Sequence, residues 1–145
     1  MLGFMFKQAQ TTLTINANGR GFTNFTRDIQ SWIGQTGIQT GQVTLFVQHT
    51  SCSLIIQENA DPDVLTDMET FMNDLVQDGH PDFLHRDEGD DDMSAHIRMA
   101  LTNVSLNIPV THGKAALGIW QAVYLYEHRY APMQRRVILH LVGEA

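Results

Sequence analysis

Asp61-Pro62 restricts the folding of this chain more than any other pair of residues. Aspartate is a favoured helix N-cap, and proline suits the first helical position, where no backbone N–H is needed. A helix is therefore expected to begin here. Val64, Leu65, Met68, Phe71, Met72, Leu75 and Val76 then recur at three- and four-residue steps, the stripe of a helix lying on a core. We expect Val64, Met68, Phe71 and Leu75 to be buried and the methionines to act as core filler. Asp67, Glu69, Asp74 and Asp78 fall on the outer face and read as solvated. Gly79-His80-Pro81 closes the helix.

Strand patterns surround it. Phe6–Ala17 alternates loosely up to Asn18-Gly19, as a strand ending in a turn does. Phe22, Phe25, Ile29, Trp32 and Ile33 have helical spacing, which predicts a helix capped by Thr23 or Asn24 and ended near Gly34 or Gly37. Residues 43–49 read as a strand with His49 on the same side as Val43, Leu45 and Val47; Leu54-Ile55-Ile56 continues as another and delivers Glu58 at its exit. A helix at roughly 93–103, a strand at 104–110, a turn at Thr111-His112-Gly113, a long strand at 118–129 and a last strand at 135–142 follow. Helices and strands do not alternate regularly, so the fold class is α+β. We expect one domain over 1–145, with a mostly antiparallel or mixed β-sheet packed with two or three α-helices.

At 145 residues the chain is long enough for a real core. Its net charge of -7 argues against nucleic-acid and membrane-surface binding, since both need a basic face. Cys52, the single cysteine, forms no internal disulfide and reads as a small buried residue. The N-terminal segment has no leader pattern, and no apolar run reaches a membrane span. A cytoplasmic protein is expected.

Acidity is concentrated: thirteen of the sixteen carboxylates lie between Glu58 and Asp92. The stretch from His85 to His96 puts five of them, a glycine and two imidazoles within twelve residues. A charge run is ordinarily a solvated loop. Here histidines bracket it, and Asp92 and His96 are spaced to share one face of a helix. His49, His85 and His96 are expected to converge on one divalent cation or one ordered water, the alternative being three separate hydrogen-bonded roles; the cation would be zinc if imidazoles dominate and magnesium if carboxylates do. Glu58, Glu88 and Asp92 could ligate it, orient the ligands or act as a general base. His80, His112 and His140 are read as structural or surface residues.

Several of these residues lie in a pattern that resembles the YjbQ-type family, often labelled secondary thiamine-phosphate synthase. The resemblance runs over nearly the whole chain. It is carried by Gln48-His49-Thr50-Ser51, Glu58-Asn59, Asp61-Pro62, Glu88-Gly89, Asp91-Asp92-Met93, His96-Ile97, Ser105, Gly113, Gly118-x-Trp120-Gln121, Glu127-His128-Arg129 and Arg135-Arg136. Ile119 stands where the family has Thr, which removes a hydroxyl. The resemblance implies a small α+β homotrimer that joins hydroxymethylpyrimidine diphosphate to a thiazole phosphate and releases pyrophosphate. Glu58, Glu88, Asp92 and Arg129 are then the catalytic candidates, and Arg135, Arg136, Gln121 and Ser51 the candidates for holding a phosphate substrate.

An acidic loop repels such a substrate. Two like charges about 4 Å apart repel by about 4 kcal/mol at an effective dielectric near 20, so cations must intervene. A divalent ion or the forked guanidinium groups of Arg129, Arg135 and Arg136 would serve. Three classes stay open at this point: a pyrophosphate-releasing transferase, a metal-dependent hydrolase with Glu58 or Glu88 as base, and a non-catalytic trimeric protein that binds metal or ligand.

Overall fold

The computed structural model describes residues 5–145. Residues 1–4, part of the N-terminal segment read for a leader, lie outside the described residues. In chain order the elements are β1 (Phe6–Ala17), β2 (Gly21–Asn24), α1 (Thr26–Thr36), β3 (Thr40–Val47), β4 (Cys52–Glu58), α2 (Pro62–Leu75), α3 (Asp90–Leu101), β5 (Ser105–Thr111), β6 (Lys114–Ala115), β7 (Gln121–Glu127) and β8 (Met133–Glu144). The α+β class holds, and among the described residues every pair of strands is antiparallel.

Two sheets form. One has five strands in the order β1-β8-β3-β5-β6, the other three in the order β2-β7-β4. Their facing sides make the core: Val43, Leu45, Ile108, Val137, Leu139 and Leu141 from the first, Leu54, Val123 and Leu125 from the second, and Ile29 and Ile33 from α1. Cys52 is buried in this core, and burial pushes its thiol up to about 12. At the β3–β8 pairing Gly41 lies opposite Gly143. A Cβ at either would sit 2.2 Å or less from a backbone oxygen of the other strand, so the approach requires glycine. His112 (φ 52°) and Gly113 (φ 75°) form the two-residue turn joining β5 to β6, with both central residues left-handed as that hairpin type demands.

α3 lies on the outer side of the smaller sheet, where Leu54 of β4 donates to the carbonyl of Asn103, just past the helix end. Arg98 of α3 in turn reaches Glu69 and Asn73 of α2. β7 is covered on both sides, so after Gln121 every one of its residues is buried. Val123 and Leu125 face the inter-sheet core, while Tyr126 donates to Glu69 of α2.

Three expectations change. Phe22 and Thr23 belong to β2, which pairs with β7; α1 starts later, and Asn24 Oδ1 accepts from the N–H of Thr26 (3.0 Å). The α1 end is at Gly37, in the left-handed region as expected. β3 stops at Val47, so His49 sits in a loop and not on a strand face. In α2, Asp61 does cap the helix by accepting from Asp63 N (2.9 Å), but the face expected to be buried is not: Phe71 is 65% exposed and Leu75 57%, Val64 and Met68 are half-buried, and Met72 is the one buried residue of the helix. The reason is contact. Instead of a core, α2 sends the polar Glu69 and Asn73 inward to Arg98, so the apolar edge is turned away. Among the described residues no helix is long and apolar enough to cross a membrane.

Candidate functional site

The acidic stretch divides when it folds. Asp87, Glu88 and Asp90 stay exposed, while Asp92, in the first turn of α3, is 2% exposed. Arg129, just past β7, organises the turn: Nη1 donates to Asp92 Oδ1 (2.6 Å), Nε to Asp91 Oδ2 (3.2 Å) and Nη2 to the Glu88 carbonyl (2.9 Å). Carboxylates at a helix N-terminus gain further from its unpaired N–H groups.

Two imidazoles meet the other oxygen of Asp92. His85 Nε2 lies 2.5 Å from Oδ2 and His96 Nε2 3.1 Å, with the two ring centroids 5.5 Å apart. His96 Nδ1 is 2.7 Å from the Thr50 carbonyl. A carbonyl can only accept, so Nδ1 donates to it and Nε2 is the ring nitrogen turned toward Asp92. One nitrogen from each ring and one Asp92 oxygen fall within 4.8 Å of one another. Burial would raise the Asp92 pKa, but the His85 hydrogen bond and the Arg129 and His96 charges outweigh it and hold the carboxyl low. The same Asp92 hydrogen bond raises His85, which Glu88 and Asp87 reinforce.

His49 does not join them. Its Nε2 accepts from the backbone N–H of Arg136 (2.9 Å). Burial first, then the charges of Arg135 and Arg136, lower its pKa. The expected three-imidazole set is thus replaced, within the chain, by His85, His96 and Asp92.

Glu58 and Gln121 do not reach it either. They pair across β4 and β7 at one end of the small sheet, whereas Cys52 and Glu127 pair at the other. Six residues of strand separate the ends by about 20 Å. Gln121 Oε1 is engaged by Gly118 N–H (2.7 Å), and Glu58 adjoins the exposed Trp120.

Arg135 and Ser51 are buried and bound to each other. Arg135 Nε and Nη2 donate to the two oxygens of Glu127 (2.6 Å each), and Nη2 also to Ser51 Oγ (2.8 Å). Glu127 accepts as well from the N–H groups of His128 (3.0 Å) and Arg129 (3.1 Å). Both residues are spent on holding the base of the site together, which corrects their reading as phosphate ligands. Arg136 alone of the expected phosphate cations points its side chain to solvent.

Sequence reasoning missed the buried polar layer beneath. His128 Nε2 meets Ser53 Oγ (2.9 Å); burial, then Arg98, Arg20 and Arg135, lower its pKa to about 3, so it stays neutral. Arg98 is fully buried among Glu69 and Asn73. The available signal was a charge interrupting a small-residue face, Ser94-Ala95-Arg98, in α3.

A protein-family model described as UPF0047 protein YjbQ-like matches residues 11–144. A UPF0047 protein of Synechocystis sp. is 51% identical over 139 residues, covering 96% of this chain and 95% of that protein. A conserved hypothetical protein of Thermus thermophilus has a solved structure at TM-score 0.80 and 35% identity, covering 89% of this chain and 97% of its own. A YbjQ-like protein of unknown function from Sulfolobus solfataricus superposes at TM-score 0.87 with 20% identity, covering 97% and 100%, a likeness of fold alone. The chain belongs to the YjbQ-like UPF0047 family.

Proposed function

We propose that the protein is a metal-dependent enzyme acting on a phosphorylated small molecule, with a divalent ion held by His85, Asp92 and His96. The single observation behind this reading is that one nitrogen of each imidazole and an Asp92 oxygen lie within 4.8 Å of one another. The donor set fits a transition metal such as zinc better than magnesium, because two of three atoms are imidazole nitrogen. The Thr50 carbonyl fixes the His96 tautomer, and Arg129 fixes Asp92, as the groups behind metal ligands commonly do. A bound ion would supply a local positive charge for a phosphate that the acidic stretch otherwise repels. The exposed Glu88, whose carbonyl accepts from Arg129, is the proton acceptor of this reading.

The activity we assign is the one the family resemblance implies: joining hydroxymethylpyrimidine diphosphate to thiazole phosphate with release of pyrophosphate. Homotrimer assembly goes with it. The outer face of the five-stranded sheet supports assembly, since its exposed Thr12, Thr14, Gln42, Phe46, Asn107 and Gln134 are uncharged and β8 adds only the charges of Arg136 and Glu144 to it among the described residues.

Metal content after dialysis and pyrophosphate release with both substrates test the reading. Stoichiometric zinc in the wild type, lost in Asp92→Asn together with pyrophosphate release, is expected. Wild-type turnover undiminished by exhaustive chelation would overturn the metal dependence, and metal without pyrophosphate release would overturn the transferase.

A further inference from the structure

We propose that a groove between α2 and β2, remote from the ligand set above in the residues it uses, binds a neutral planar heterocycle that carries a hydrogen-bond donor and acceptor side by side on one edge, as nucleobase-class rings do. The site is a groove open to solvent, with a volume of about 430 Å³, lined by Phe22, Leu65, Thr66, Glu69, Thr70 and Asn73. That volume suits a small molecule, for which sites run from about 300 to 1,000 Å³.

Its polar groups are fixed from behind. The fully buried Arg98 donates through Nη1 to Glu69 Oε1 (2.7 Å) and through Nη2 to Asn73 Oδ1 (2.7 Å). A buried guanidinium is costly unless paired, and one carboxylate would suffice to pin α3 to α2. Here the fork instead takes two side chains one turn apart and locks both. Guanidinium has no acceptor, so the Asn73 oxygen must face Arg98 and its Nδ2 remains free to donate. Tyr126 Oη also donates to Glu69 Oε1 (2.7 Å), whereas Oε2 receives only a 3.3 Å contact from Arg98 and keeps lone pairs for a ligand. Burial first, then Glu69, raises the Tyr126 pKa, so the phenol keeps its proton.

A free acceptor and a free donor therefore stand next to each other on one helix face. The Glu69 charge is already balanced by Arg98 and Asn73 carries none, which selects an uncharged partner over an ion. Phe22, stacked on Tyr126 at 4.1 Å, and Leu65 supply a fixed apolar wall. A ring whose N–H sits beside an acceptor atom satisfies Glu69 and Asn73 at once while its face meets that wall.

Cytosine is the probe, and 1,3-dimethyluracil, of the same ring size without an N–H, is the control. Both are titrated into metal-free protein and followed by amide chemical shifts, so the result is independent of the metal reading. Cytosine is expected to shift Thr66, Thr70 and Asn73, with dimethyluracil about tenfold weaker for the missing hydrogen bond. Thr70→Trp, which fills the groove without touching Arg98, should abolish the shifts. Asn73→Asp, which keeps an oxygen for Arg98 and removes the donor, should weaken cytosine about tenfold and decides the matter if the Trp variant misfolds. Absent cytosine shifts at its solubility limit, equal shifts from both compounds, or wild-type titration of the folded variants would overturn the proposal.

Discussion

Removing the Glu127 charge should do more damage than removing any exposed carboxylate of this acidic chain. Glu127 is 0% exposed and Arg135 4%. Their two 2.6 Å contacts are charge-assisted, and Glu127 also caps the N–H groups of His128 and Arg129. In Glu127→Gln the amide oxygen can keep one set of donors, but its NH₂ then faces an arginine N–H. The guanidinium cannot shed its charge, so it stays buried and unmatched. Breaking a buried pair from one side costs about 3–5 kcal/mol, a third or more of the stability of a typical domain. With a urea slope near 2 kcal/mol/M, the unfolding midpoint should fall by about 2 M. Equilibrium unfolding followed by the fluorescence of Trp32 and Trp120 reads this directly. Adding Arg135→Met to Glu127→Gln removes the stranded cation and should recover part of the loss. A single-variant cost below about 1 kcal/mol, or a double variant worse than the sum of the singles, would refute the reasoning.

Two further outcomes are expected. In metal-free protein His85 has a raised pKa because of Asp92, so its contribution is fully present below the unfolded value near 6.5 and is lost as pH rises through the higher folded value. His85→Gln should therefore destabilise at pH 5.5 and converge on wild type well above neutrality; equal effects at both ends of a pH series of melting temperatures would exclude the linkage. Phe71→Ala, with a side chain facing solvent, should change stability in urea by no more than about 0.5 kcal/mol, and a loss of several kcal/mol would show that α2 packs with that face covered.

The sequence made the strands and α2 legible because their signals are local: alternation, the Asp61-Pro62 cap, and Gly37 after a helical stripe. It misled at Phe22, where helical spacing continued by chance into residues that pair with β7. It misled at Phe71, because a stripe reports which residues share a side and not what lies against them. The site was half legible. Asp92 and His96 are one turn apart, so their meeting is local, and His85 follows from the short loop between. His49 and Glu58 depended on strand register and strand end, which the chain encodes only through distant partners: Arg136 for His49, Gln121 for Glu58. Glu127 and Arg135 occupy inward-facing positions on two different strands, and no short-range pattern pairs them.

Cys52 turns the core into its own clock. With the thiol sealed between the two sheets and its ionisation suppressed, an alkylating reagent can modify it only during excursions that part β4 from the five-stranded sheet. Labelling rate against reagent concentration then separates how often the sheets part from how fast they reclose, with no reporter introduced.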